Sequence, residues 1–118
     1  MDDQRTNRES GPSLRLFFAN QSIGQINHVV FSDYTGFGVF RPDPKLPGPI
    51  QDFIAFSESW HARLKRGDHC DASEFEMYDD ICNSSDWNTV DHAGSVVTIG
   101  APSFIDGEIT WRTKQQNL

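Results

Sequence analysis

Four histidines and two cysteines are the side chains of this sequence with the widest chemistry, and their spacing limits what they can do. They are His28, His61, His69, Cys70, Cys82 and His92. Structural zinc sites present paired ligands such as C-x₂-C or H-x₃-H, and neither pair occurs. A helix over residues 71–82 rises ~18 Å, which keeps Cys70 and Cys82 from sharing a metal ion or a disulfide. We therefore predict no metal site and no cofactor.

The same residues show no pattern for nucleophilic catalysis. Cys70 has His69 beside it, but nothing in the spacing selects a cysteine–histidine pair. His61 falls on the apolar half of a predicted helix, where a partly buried histidine with satisfied hydrogen bonds is the usual case. Asp79 and Asp80 are adjacent on a helix and point ~100° apart, so they cannot act as a facing pair of carboxylates. We predict no catalytic residue, and a binding protein rather than an enzyme.

One alternative is a pocket beside the glycine-containing segment Gly36–Gly38. A dinucleotide-binding loop is excluded, because Arg41 stands where the third glycine belongs and a strand follows instead of a helix. We expect these glycines to permit close packing at a turn or bulge. In the alternative, a small-molecule-binding or enzymatic α+β domain, an aromatic pocket suits an anionic ring. Its lining residues are Tyr34, Phe37, Arg41 and His61.

The strongest chemical signal is the distribution of charge. The 118 residues carry 17 acidic and 10 basic side chains, for a formal net charge of −7, which argues against direct nucleic-acid binding. No lysine or arginine lies between Arg66 and Arg112, and the ten acids of residues 67–111 give that segment a charge of −10. Segregation on this scale creates a negative field that steers basic partners, although acidic surfaces also serve solubility alone.

The acidic segment contains a second predicted helix whose outer side suits a partner. Glu76 and Asp80 project away from the apolar stripe, and Met77 lies among them as an adaptable apolar contact. Trp87, just past the helix, is expected either to anchor the surface or to lie in the core. The candidate partner-binding residues are Asp71, Glu74, Glu76, Met77, Asp79, Asp80, Asp86, Trp87 and Asp91.

These features predict a small acidic inhibitor that docks onto a basic protein such as a toxin or nuclease domain. The chain resembles bacterial immunity proteins and antitoxins in general profile, through its size, acidity and lack of catalytic motifs. A nuclease is basic where it holds phosphate, so carboxylates presented there raise both association rate and affinity. A third hypothesis is an acidic nucleic-acid mimic, which requires carboxylates spaced like phosphates along one face.

The elements that must position these residues follow from local patterns. Alternation over residues 14–18, a β-branched and aromatic run over 26–31 and a third short strand over 37–40 predict an antiparallel meander. Prolines stiffen residues 41–49, and a helix follows over 50–66 with Gly67 as its C-terminal cap. Asp71 and Glu74 form a capping box for a second helix over 72–82. Strands are expected over 87–90, 95–99 and 107–112.

The sequence thus predicts an α+β protein with one domain over residues 13–113. Its antiparallel sheet has five or six strands, with two helices packed on one face. Residues 1–12 are expected to form a disordered tail and residues 114–118 a frayed end. The N-terminus lacks the apolar run of a signal peptide and no segment is long enough to span a membrane, so we expect a cytoplasmic protein without membrane contact.

Overall fold

The computed structural model describes residues 12–114, and the chain there has an α+β fold with one curled antiparallel sheet. The predicted tail and frayed end lie outside the described residues, apart from Pro12 and Lys114. Within the described part, no helix is long and apolar enough to cross a membrane. The strands are β1 (Leu14–Phe18), β2 (Gln21–Ser32), β3 (Thr35–Pro42), β4 (Trp87–Val90), β5 (Val96–Thr98), β6 (Ser103–Ile105) and β7 (Glu108–Arg112).

The sheet has the strand order β5-β4-β1-β2-β3-β7-β6, with every neighbouring pair antiparallel. The first three strands form the predicted meander at its centre. A bridge between Ile99 and Thr113 joins the chain after β5 to the chain after β7, so the sheet curls until these two segments meet. The buried face of the curl holds the core.

The prediction of five or six strands was wrong, because the sheet has seven. The strand that the sequence did not reveal is β6, which has three residues and one fully buried side chain, Phe104. A segment this short has no measurable alternation. It becomes a strand because β7 pairs along one edge and a helix covers it.

The first helix, α1 (Gly48–Lys65), confirms the helix predicted from the apolar periodicity. Pro49 lies in its first turn, and Ile50, Phe53 and Ser57 are buried. Its C-terminus closes as a Schellman motif: Gly67 has φ +85° and donates to Leu64, while the next amide donates to the Arg63 carbonyl.

The second predicted helix differs from the expectation in its type. It is a 3₁₀ helix (Ala72–Tyr78) followed by one α-helical turn, α2 (Asp79–Cys82). A 3₁₀ helix has three residues per turn, so Phe75 and Tyr78 fall on one line. Phe75 and Tyr78 contact the aromatic side chain of Phe56 on α1, with ring centroids 4.8 and 4.9 Å apart. The capping box at Asp71 and Glu74 is confirmed.

Aromatic contacts between α1 and the sheet form the centre of the core. Phe53 lies 6.2 Å from Trp87 of β4 and 6.3 Å from Phe104 of β6, measured between ring centroids. Ser57 lies beside them and accepts a hydrogen bond from the Phe104 amide at 2.9 Å. On β3, Gly36 lies under the ring of Trp111, which leaves no room for a side chain.

Candidate partner-binding surface

Four of the predicted partner-binding residues lie together on the exposed side of the 3₁₀ helix and α2. Glu76, Met77, Asp79 and Asp80 are all exposed, and Met77 is 77% accessible. Glu76 and Met77 lie in the last turn of the 3₁₀ helix, and Asp79 and Asp80 lie in the α-helical turn that follows it. The aromatic stripe on the opposite side holds this segment against α1, so the exposed side has a fixed orientation.

A groove of about 370 Å³ separates these residues from the start of α1. Met77 and Asp80 line one side, and Asp52 of α1 lines the other with Pro49. The phenol of Tyr78 donates a hydrogen bond to the Asp52 carbonyl at 3.5 Å, which ties the two elements together. Asp52 is exposed and belongs to the same surface.

We call this set the acidic surface: Asp52, Glu76, Met77, Asp79 and Asp80. Its four carboxylates have no lysine or arginine within 4.0 Å among residues 12–114. The sequence missed Asp52 because it lies 24 residues before Glu76 and outside the segment without basic residues. The sequence signal that could have identified Asp52 was its position on the exposed face of a predicted helix, near the start of that helix.

Three other predicted residues use their carboxylates in hydrogen bonds within the chain. Glu74 accepts hydrogen bonds from Arg63 at 2.7 Å and from the Asp71 amide at 3.3 Å. The pKa of Glu74 lies below its ordinary value, chiefly because Arg63 donates a hydrogen bond to its carboxylate. The same hydrogen bond raises the pKa of Arg63. The hydrogen bond from the Ser73 amide lowers the pKa of Asp71. Asp91 accepts from two amides of the β4–β5 turn at 2.9 Å.

Trp87 does not belong to the surface, and including it among the partner-binding residues was wrong. Its side chain is fully buried, and its ring packs at a tilt against Phe18 with the centroids 4.7 Å apart. Its Nε1 donates to the Ile81 carbonyl at 3.0 Å. Trp87 therefore anchors α2 to the sheet from inside. Asp86, the residue before it, is exposed at the start of β4.

The alternative pocket is not assembled. Phe37 faces outward from β3 and lines a cleft with His28 and Glu108. Tyr34 lies in the β2–β3 turn, and Arg41 is exposed near the far end of β3. The half-buried His61 lies on α1, on the other face of the sheet, where its Nδ1 is 2.7 Å from the Ser57 carbonyl. His61, the histidine predicted for this pocket, therefore does not line the cleft beside Phe37.

The cysteines and histidines do not form a reactive cluster. Among residues 12–114, no three histidine, cysteine or acidic side chains come together in a way that could hold a metal ion. Cys70 lies against the Trp60 carbonyl at 3.8 Å. Burial raises the pKa of Cys82, which packs against the core and is therefore a poor nucleophile at neutral pH.

The fold and the acidic surface together define an α+β protein with an exposed carboxylate-rich surface. No protein-family model, curated protein or solved structure matches this chain. The function therefore has to be argued from the surface itself.

Proposed function

We propose that this chain binds a basic protein through the acidic surface and inhibits it, as an immunity protein or antitoxin does with a basic toxin such as a nuclease. The observation that carries the proposal is Met77, an apolar side chain 77% exposed among four carboxylates without basic neighbours in residues 12–114. An isolated exposed methionine needs no explanation. Met77 borders the groove, and the contacts of Phe75 and Tyr78 with Phe56 hold its segment against α1.

The arrangement matches the anatomy of protein interfaces. Such interfaces have an apolar centre that excludes water and a polar rim, and methionine is enriched at adaptable contacts. Here Met77 and the groove beside Pro49 supply the centre, and the carboxylates of Asp52 and Asp80 supply the rim. The rim charges accelerate association with a basic partner, while the apolar centre slows dissociation.

The extent of the surface favours a protein partner over mimicry of nucleic acid. From Glu76 to Asp80 the axis advances about 7 Å, at the 3₁₀ rise of about 2.0 Å per residue up to Tyr78 and the α-helical rise of about 1.5 Å beyond it. One strand of B-form DNA advances about 3.4 Å per phosphate, so this row imitates only two or three phosphates. A patch of this size suits the phosphate-binding site of a nuclease, whose arginines and lysines would otherwise contact substrate.

The test is to capture the partner with the full chain from a lysate of the source organism and to measure its binding to matched variants. One variant removes three surface charges, Glu76→Gln, Asp79→Asn and Asp80→Asn. The control removes three exposed or half-exposed charges elsewhere, Asp33→Asn, Glu58→Gln and Asp106→Asn. Asparagine suits the control because Asp33 and Asp106 have φ of +56° and +48°, a conformation that asparagine tolerates.

We expect the captured protein to be basic and the surface variant to associate more slowly by on the order of tenfold or more at low salt. The control variant should bind like the parent chain, and lysine in place of the same three surface acids should abolish binding. Equal losses in both variants would show that net charge alone acts. A neutral or acidic partner would also contradict the proposal.

A further inference from the structure

The groove between the 3₁₀ helix and α1 combines apolar walls with a carboxylate on each side. Its volume is about 370 Å³. Asp52 lies on the α1 side and Asp80 lies on the opposite side. The other four lining residues, which offer mainly carbon surface, are Pro49, Met77, Tyr78 and Ile81. The groove therefore suits an occupant that has both an apolar stem and a positive charge.

The two sides of the groove are held in place by contacts within the chain. The ring of Tyr78 lies 4.9 Å from that of Phe56 and 5.6 Å from that of Phe53, measured between centroids. Both phenylalanines belong to α1. The Tyr78 hydroxyl also donates to the Asp52 carbonyl at 3.5 Å. A surface that is already ordered loses little conformational entropy when a partner binds, which favours affinity.

Inorganic cations match this groove poorly. Among residues 12–114, no three histidine, cysteine or acidic side chains come together in a way that could hold a metal ion. A small hydrated ion would also leave the carbon surface of Met77 and Tyr78 in contact with water. Lysine and arginine side chains bury a methylene stem along apolar surface and keep a charged end free for carboxylates. The occupant that fits is therefore a basic side chain of a protein.

We propose that the groove takes one arginine side chain of the partner. Its methylene groups lie against Met77, and its guanidinium lies between Asp52 and Asp80. The inference rests on the proposed function, because it names the residue type that the acidic surface recognises on the basic partner. A guanidinium is a planar fork with several N–H donors, so it can donate to carboxylates on both sides of the groove.

Lysine fits the same groove less well for two physical reasons. Its ammonium is a compact point charge that is more strongly hydrated than a guanidinium, so it loses more hydration on leaving water. A guanidinium also stacks on aromatic side chains, and Tyr78 lines the groove. Arginine is enriched among the residues that dominate binding at protein interfaces. The groove is therefore expected to select arginine over lysine.

The acidic surface then has two parts with different roles. Asp52 and Asp80 line the groove and contact one arginine, whereas Glu76 and Asp79 lie outside its lining. Carboxylates outside the groove attract any nearby positive charge without distinguishing lysine from arginine. Selectivity for arginine should therefore depend on the first pair, and the general attraction of basic partners on all four carboxylates.

Two peptides of equal charge, ten arginines and ten lysines, test the proposal. Each is titrated against the isotope-labelled full chain at low ionic strength and followed by amide NMR. We expect the parent chain to bind the arginine peptide about three- to fivefold more tightly than the lysine peptide. The amides of Tyr78 and Ile81, two groove residues without a formal charge at neutral pH, should shift more with the arginine peptide.

Asp79 and Asp80 provide a matched pair of variants, because they are adjacent, exposed and part of the same helical turn. Asp80→Asn should bring the ratio of the two affinities close to one. Asp79→Asn should weaken binding of both peptides alike and keep the ratio of the parent chain. Equal affinity of the parent chain for the two peptides overturns the arginine site. The same conclusion follows if both variants change the ratio equally.

The captured partner separates this inference from the proposed function. If the partner binds through the acidic surface but the parent chain does not distinguish the two peptides, the proposed function stands and the arginine site is wrong. If the partner binds the variant Glu76→Gln, Asp79→Asn and Asp80→Asn as tightly as the parent chain, the proposed function itself is wrong. The groove then has no partner arginine to hold.

Discussion

Arg63 of α1 and Glu74 of the 3₁₀ helix form a forked ion pair, with Nη2 2.7 Å from Oε1 and Nη1 3.4 Å from Oε2. Glu74 also closes the capping box by accepting the Asp71 amide. One carboxylate thus starts the 3₁₀ helix and attaches it to α1. The orientation of the acidic surface depends on this attachment and on the aromatic contacts beneath it.

We predict that Glu74→Gln destabilises the protein at pH 7 and that the effect fades in acid. The pKa of Glu74 is lowered from its ordinary value of 4.5, chiefly by the Arg63 hydrogen bond. The stabilisation is therefore complete above the unfolded pKa and is lost as pH falls through the folded pKa. Urea unfolding of both proteins across this range measures the gap. Glu76→Gln, at an exposed site without an ion-pair partner among residues 12–114, is the control. A gap independent of pH contradicts the argument.

The hydroxyl of Ser57 is predicted to hold the edge strand β6 on α1. It accepts from the Phe104 amide at 2.9 Å inside the core. In Ser57→Ala that amide loses its acceptor, and a buried unsatisfied donor costs about 1–3 kcal/mol. Ser59→Ala on the exposed side of the same helix should cost less than about 0.5 kcal/mol. Urea unfolding gives both values, and the Phe104 amide should exchange faster in Ser57→Ala alone.

Two tryptophans allow a matched test of one buried hydrogen bond. The indole N–H of Trp87 donates to the Ile81 carbonyl, whereas the buried indole N–H of Trp60 has no acceptor among the described residues. Phenylalanine removes the donor at either site. A typical intramolecular hydrogen bond contributes about 0.5–1.5 kcal/mol, and the fully buried Trp87 also leaves a larger cavity than the half-buried Trp60. Trp87→Phe should therefore destabilise the fold by at least about 0.5–1.5 kcal/mol more than Trp60→Phe. Equal free energies of unfolding would contradict an anchoring role for Trp87.

The elements predicted well from the sequence are those whose signals are local. The period of apolar residues, Pro49 and Gly67 together define α1, and Asp71 and Glu74 define the start of the 3₁₀ helix. The prediction of β6 failed because its three residues show no alternation and because it is held by contacts distant in sequence, including Ser57, 47 residues away along the chain. The α-helical reading of residues 72–78 failed because an i, i+3 spacing of aromatic residues fits both helix types over so short a length.

The sequence predicted the negative charge of the candidate surface but not which residues form it. The run without lysine or arginine is visible in the sequence, and four of its residues lie together on the surface. Contacts within the fold decide which predicted residues can reach a partner. Glu74 is paired with Arg63, Asp91 accepts hydrogen bonds from amides of its own turn, and Trp87 is buried in the core. Asp52 joins the surface only because the 3₁₀ helix packs against the first turns of α1.

We predict that Asp52 contributes to the binding of cations by the acidic surface. A synthetic peptide of ten lysines is a suitable probe, titrated against the labelled full chain at low ionic strength, where the Debye length is about 30 Å. The largest amide shifts should fall at residues 52 and 76–80. An exposed ion pair contributes about 0.2–1 kcal/mol, so Asp52→Asn should weaken peptide binding by about 1.5- to 5-fold.

Glu58→Gln is the matched control, because it removes one charge from the same helix outside the groove. It should leave the shifts at residues 76–80 unchanged. Physiological salt shortens the Debye length to about 8 Å and should weaken binding of the peptide to the parent chain. If Glu58→Gln and Asp52→Asn weaken binding equally, the peptide responds to net charge. Asp52 would then form no part of a localised surface, and the groove between Asp52 and Asp80 would have no role in recognition.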